Sequence, residues 1–305
     1  MQELVGSMCI ALGAEHAADH HLCFGETRAQ HVHEWNGAAL ADVTHRGTKV
    51  RLAGTVQVNG TEGGSFSVSA DTITLFQSAV VQTNGSNGRG GSIAISAQNN
   101  VTIANSEVDA TGYNQGGAIM IGNDASNGTL PFALSATIDQ YSSINAAQLD
   151  QSTKNQNGGF IETSGQTLHL LASINAGRGG MWLLDPTNVT ITASGSTGGS
   201  LASASASAGA INISASDIQN AINAGMSVTI IATGTITQSV ALTFANNVGP
   251  ATLTFDNTTG TSTSNISLGA ITTTGTATTS LVVKSAGKIS SLGALTATGT
   301  GALNV

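Results

Sequence analysis

Seven side chains near the amino end are of metal-ligand type: Cys9, His16, His20, His21, Cys23, His31 and His33. Cysteine and histidine together make the common zinc sites. Their spacing here is Cys-x6-His-x3-His-His-x-Cys-x7-His-x-His. It holds no Cys-x2-Cys, and no His-x3–5-His pair is matched to a second pair of the right type. It therefore fits no zinc module and reads as an irregular leader. A Cys9–Cys23 disulfide is the other option if the chain is exported. A second kind of chemistry would come from Glu162 and Asp185. Two carboxylates can act as acid and base on a glycosidic bond, as a carbohydrate-active lyase or hydrolase requires. Such a site needs several acids plus Lys or Arg converging on one face, whereas these acids are scattered singly and basic residues are scarce. Both therefore read as structural. Asp185 before Pro186 suits a turn held by side-chain-to-backbone bonds, Pro186 stops a strand, and Trp182 packs at the end of a unit. No catalytic, cofactor-binding or metal-binding residue is assigned, and the chain reads as a non-enzyme. Two carboxylates within about 10 Å in one groove would reopen the enzymatic alternative.

Other signals are weaker. Gly88-Arg-Gly-Gly-Ser-Ile lacks the Asp of a calcium-binding glycine repeat. Gly88 to Gly91 and Gly177 to Gly180 lack the Lys and the following helix of a phosphate loop. The nine Lys and Arg form no stripe beyond Arg46, Lys49 and Arg51, and the net charge is −8, which argues against a nucleic-acid partner. No apolar run reaches the roughly 18 residues that span a membrane. Asn-x-Ser/Thr occurs at Asn59, Asn84, Asn100, Asn127, Asn188, Asn212, Asn257 and Asn265. In a chain so rich in Asn, Ser and Thr, chance explains most of these, and glycosylation stays an option.

The elements that must carry these residues announce themselves through glycine. A Gly-Gly pair returns at Gly63, Gly90, Gly116, Gly158 and Gly179, at steps of 27, 26, 42 and 21 residues, each time followed by a short strand-forming run. Periods of 20 to 50 residues mean stacked supersecondary units. Charged residues are 9% and aromatics 4% of the 305 residues. This is too few for an ordinary enzyme core but suits Val, Ile and Ala inside a stacked sheet with Ser, Thr and Asn outside. The unit from Gly63 carries apolar alternation at Phe66/Val68, Ile73/Leu75 and Val80 to Gln82, with breaks at Ala70-Asp71 and Asn84-Gly85. Residues 90–115 repeat it at Ile93/Ile95, Val101/Ile103 and Val108/Ala110. Three short strands per turn of about 26 residues predict an all-β fold, a right-handed parallel β-helix. Coils should stack about 4.8 Å apart, with Gly and Asn at corners that need positive φ.

The chain divides by composition. Residues 1–45 hold both cysteines and six of the seven histidines and form the irregular leader. Residues 46–193 are coils, with ejected loops at 123–134 and 148–157 as the best contact candidates. Residues 194–215 form a Ser/Ala/Gly-rich connector. Residues 216–305 open with one short helix near 217–224, N-capped by Ser216 or Asp217 and closed by Gly225, and continue as strands through Leu292 to Leu295. Ala302 to Val305 stop without a cap, which suggests a longer natural protein.

Two neighbouring motifs, Gly158-Gly-Phe-Ile-Glu-Thr-Ser-Gly165 and Gly179-Gly-Met-Trp-Leu-Leu-Asp-Pro186, followed by Asn188-Val-Thr-Ile191, resemble the filamentous haemagglutinin family of large exported bacterial proteins. Gly47-Thr-Lys-Val-Arg-Leu-Ala-Gly54, Ala221-Ile-Asn-Ala-Gly225 and Val228-Thr-Ile230 are also similar, so the resemblance covers about residues 44–305. It implies a secreted or outer-membrane-associated Gram-negative adhesin with a long β-helical rod. Its implied partners are a dedicated outer-membrane transporter and a host-cell or glycan receptor. A contact-dependent toxin stalk is the alternative within the family. The family's signal peptide and amino-terminal secretion domain have no counterpart here.

Overall fold

The computed structural model describes residues 8–11, 21–24, 40–44, 49–122, 131–150, 157–193 and 210–305. The fold is all-β, and Ala215–Asn223 (α1) is the one helix among the described residues. Apart from an antiparallel pair, Met8–Ala11 with His21–Phe24, the strand pairings are parallel.

The parallel strands line up in columns. The first column runs through Leu40–Thr44, the front halves of Ser65–Leu75 and Ser92–Ile103, Ala118–Ile121, Phe160–Ser164, Met181–Asp185, Ser227–Ile231, Ala251–Asp256, Thr279–Lys284 and Leu303–Asn304. The second runs through Lys49–Leu52, the back halves of the same two long strands, Ser135–Ile138 and Thr167–Leu170. The third joins Thr55–Gln57, Val80–Gln82, Glu107–Asp109, Ser143–Asn145 and Ser173–Asn175. The chain visits the columns in turn and returns to the first one coil further on.

Alternation explains why these residues make this stack. One side chain in two points inward, and the register places like on like. Phe66, Ile93, Ile119, Ile161, Trp182 and Val228 form one inner row, each no more than 3% exposed. Outside, polar side chains bond along the stack. Gln57 Nε2 donates to Gln82 Oε1 at 2.9 Å, Asn84 Nδ2 to Asp109 Oδ2 at 3.1 Å, and Ser92 Oγ to Ser65 Oγ at 2.9 Å. At the third corner, Asp109, Asn145 and Asn175 are register partners, and each accepts from the N–H two residues on, at 2.9, 3.2 and 3.0 Å. Three successive coils thus turn by the same Asx device.

The structure revises four expectations. First, Ala70-Asp71 makes no break: Ser65–Leu75 and Ser92–Ile103 are continuous strands, and the bend is a register shift between Ala70 and Thr72. Second, most of the paired glycines lack positive φ; of the ten, Gly179 alone has it. For all of them but Gly64 and Gly179, close approach to neighbouring backbone requires the glycine instead. A Cβ on Gly117 would overlap the carbonyl oxygens of Gly91 and Ala110 and sit 2.9 Å from the Ala110 Cβ. Gly117 N–H meanwhile donates to Ala110 O at 2.8 Å, closing the coil. Third, α1 starts at Ala215 with Ser214 as N-cap, its hydroxyl accepting from Ser216 N–H at 3.2 Å. Ala215 shares the buried face of Ile218 and Ile222, so burial draws the helix start back toward the strand. Gly225, at φ +76°, closes it as expected. Fourth, Leu292 to Leu295 is not one strand: Ile289–Leu292 ends and Leu295–Ala297 begins on either side of Gly293.

The column plan changes once. Only the first column continues through residues 160–231; the second ends at Thr167–Leu170 and the third at Ser173–Asn175. Beyond them a new sheet is ordered Ala210–Ser214, Asn188–Thr192, Ile236–Gln238, Ile266–Leu268, Ile289–Leu292. A three-stranded one joins Leu242–Phe244, Ile271–Thr273 and Leu295–Ala297. Helix α1 supports this last sheet by imitating a strand. Gln219 Oε1 and Asn223 Oδ1, one turn apart, accept from Thr243 N–H and Ala245 N–H, each at 2.7 Å.

Candidate functional site

Both glycine motifs lie at this change of plan. Phe160–Ser164 pairs in parallel with Met181–Asp185, Ile161 facing Trp182, Thr163 facing Leu184 and Ser164 facing Asp185. Ile161 and Thr163 point into the core; Glu162 and Ser164 are on the opposite face, yet all four are 0% exposed. Thr163 interrupts an inner row otherwise made of Ile95, Ile121, Leu184 and Ile230. Its Oγ1 accepts from Trp182 Nε1–H at 3.1 Å, so the first motif supplies the partner that a buried indole needs. On the other face Ser164 Oγ donates to Glu162 Oε1 at 2.8 Å.

Glu162 and Asp185 are not scattered: the register sets them diagonally on one face of adjacent strands. Their Cα atoms are roughly 8 Å apart, from strand spacing and rise. Burial, and then the Glu162 charge, push the Asp185 carboxyl up to about 6. A raised acid beside a second carboxylate is the arrangement a general acid uses. Complete burial of Glu162 keeps a substrate from it, and neither acid lines the cavity beside Trp182.

This cavity, of about 190 Å³, lies between the last strands of the interrupted columns and α1. Leu170, Ala172, Ser173, Ile174 and Asn175 form one side, and Asp217, Asn220, Ala221 and Ala224 the other. Trp182 and Met226 line it as buried residues, while Ser173, Asn175, Asn220 and Ala224 are exposed at its rim. Burial pushes the Asp217 carboxyl up to about 6. At one end the Met226 sulfur stands in for a strand carbonyl, accepting from Ala176 N–H at 3.1 Å.

Of the sequence candidates, His16, His20, His31 and His33 lie outside the described residues. Cys9 and Cys23 are register partners in the antiparallel pair. Among the described residues no group of three His, Cys, Asp or Glu could hold a metal, and no helix is long and apolar enough to cross a membrane. Of the basic cluster, Arg46 is outside the described residues and Arg51 lies over the Phe76 ring, 4.3 Å from its centroid. Several glycosylation candidates are occupied structurally. Asn59, Asn188 and Asn265 accept backbone N–H bonds from the next coil, and Asn257 is 0% exposed. The candidate loops 123–134 and 148–157 lie largely outside the described residues, and so does the connector 194–215 up to residue 209; its last residues are no connector but the strand Ala210–Ser214 and the first residue of α1. The described loop flanks expose Leu134 and Leu149. In the sequence Asp217 reads as a helix cap, and nothing marks Thr163. The short 21-residue glycine step is the sequence feature that lies nearest the change of plan. No protein-family model matches the chain, and neither do any curated protein or solved structure.

Proposed function

We propose that the chain is a right-handed parallel β-helical segment of a secreted, filamentous-haemagglutinin-like surface adhesin that works by display and without catalysis. The supporting observation is the first column: strands from Leu40 to Asn304 stay parallel, and each Gly-Gly unit through Met181 lies in register on the last. A stack of that kind is stiff because each coil buries its inner row against its neighbours, and it can hold side loops at fixed spacing. The partners of this reading are an outer-membrane transporter for export and a host-cell or glycan receptor for attachment. Beads coated with the full chain should adhere to epithelial monolayers, and soluble chain should compete them off. Adhesion no greater than that of albumin-coated beads would reject the reading.

A second reading, a carbohydrate-active enzyme, draws on the adjacency of Glu162 and Asp185 and the raised Asp185 carboxyl. It requires release of reducing ends or unsaturated products from a polysaccharide panel, lost in Asp185→Asn. No release from the intact chain rejects it.

A further inference from the structure

The cleft beneath α1 combines three features that suit one kind of guest. The first is charge. Asp217 lines the cleft, half-buried, and its carboxylate has no hydrogen-bond or ion-pair partner among the described residues. A carboxylate that has lost part of its hydration with no counter-ion gains most from a cation, and burial already pushes it up to about 6. The second is a free peptide group. Ser173 N–H donates to Ser142 O at 3.4 Å and Asn175 O accepts from Ala146 N–H at 2.8 Å. These bonds turn both residues' peptide groups toward the Ser143–Asn145 strand. In a parallel ladder alternate residues point opposite ways, so the N–H and C=O of Ile174 face the cleft. The third is an apolar wall made by Leu170, Trp182 and Met226.

We propose that this cleft binds a primary alkylammonium group. The ammonium donates to the Asp217 carboxylate and the Ile174 carbonyl, and the alkyl stem lies along Trp182 and Leu170. An ammonium has three donors and no acceptor, matching an anion plus a strand-edge carbonyl. A volume of about 190 Å³ is below the roughly 300 Å³ at which pockets for drug-sized ligands begin, so the guest is the size of one side chain. A free amine and a lysyl side chain on an extended peptide present the same group. The peptide would also pair with Ile174 as an added strand. The site stands independently of the adhesive reading.

Trp182 is one of two tryptophans, so the full chain carrying Trp35→Phe reports on the cleft through Trp182 fluorescence alone. Three probes are titrated: n-butylammonium chloride, n-butanol, and acetyl-Thr-Lys-Thr-amide. The expected result is a saturable change with the amine or the lysyl peptide and none with n-butanol. Asp217→Asn should weaken binding at least tenfold, and Ala224→Leu at the rim should block it, with circular dichroism showing both variants folded. Tenfold tighter binding of the peptide than of the amine assigns the site to lysyl side chains; equal affinity assigns it to free amines. No saturable change with either cation, or an unchanged affinity in folded Asp217→Asn, overturns the proposal.

Discussion

Thr163 and Trp182 form one clasp between the two glycine motifs, and a double-mutant cycle measures it. Thr163→Val keeps the side-chain shape but removes the acceptor of Trp182 Nε1–H, which is 3.1 Å away in a residue 3% exposed. A buried donor left unpaired costs about 1–3 kcal/mol. Trp182→Phe removes the donor and part of the ring, leaving the fully buried Thr163 hydroxyl unpaired; hydrogen bond and cavity together cost about 3 kcal/mol. In the double variant the cavity cost remains but nothing is left unpaired. It should therefore be more stable than the sum of the singles predicts, by about 1–2 kcal/mol. Urea unfolding followed by far-UV circular dichroism gives the four stabilities. Additive singles, with a coupling below about 0.3 kcal/mol, would refute the clasp and leave Trp182 as packing alone.

Other outcomes follow from the same geometry. Gly117→Ala must push a Cβ into the carbonyls of Gly91 and Ala110; it should cost about 3 kcal/mol or more, against about 1–2 kcal/mol for Gly54→Ala, where nothing beyond the chain neighbours lies within 4 Å of the added Cβ and only the φ of +83° opposes it. Thermal melts of the two variants check this. Folding raises the Asp185 carboxyl from 3.8 to about 6, so the native state holds that proton more tightly than the unfolded chain. Its contribution is therefore fully present below about pH 4, is lost between pH 4 and 6, and stays lost above. Asp185→Asn should gain about 1–3 kcal/mol at pH 7.5 and nothing at pH 3.5; urea unfolding at both pH values reads the difference. Cys9 and Cys23 are opposite each other in the antiparallel pair, within the Cα separation a disulfide needs. Mass spectrometry after mild oxidation should find the two joined, and alkylation of both thiols after oxidation would contradict the register.

Much of the architecture was written in the sequence because stacking repeats its demands. Ile93, Ile119 and Ile161 follow their Gly-Gly pairs at the same offset, so period and alternation together locate the inner row. The cause of the glycine was not legible. Corner φ and close approach both call for Gly, and the neighbour that forbids a Cβ, such as Ala110 O, appears only once coils are stacked. The change of column plan was hidden for a related reason. Asn188–Thr192 alternates like any other strand, but the strand that it pairs with, Ala210–Ser214, comes after a Ser- and Ala-rich stretch without periodicity. With that change went the cleft: Asp217 looks like an ordinary first-turn acid until the end of the third column at Ser173–Asn175 leaves it lining a cleft with Ile174.

The most direct test is a ruler laid along the first column. Register carries Ser65 to Ser92, Ala118, Phe160, Met181 and Ser227 in five steps. Two more reach Ser280 through Thr252. Nitroxide labels at Ser65→Cys and Ser227→Cys, in a Cys9→Ser and Cys23→Ser background, should lie roughly 24 Å apart at about 4.8 Å per step. Labels at Ser65→Cys and Ser280→Cys should lie roughly 34 Å apart. Pulsed dipolar spectroscopy giving both distances, about 10 Å different, is the predicted result for parallel coils stacked in register. Equal distances, or a second shorter than the first, would contradict the account.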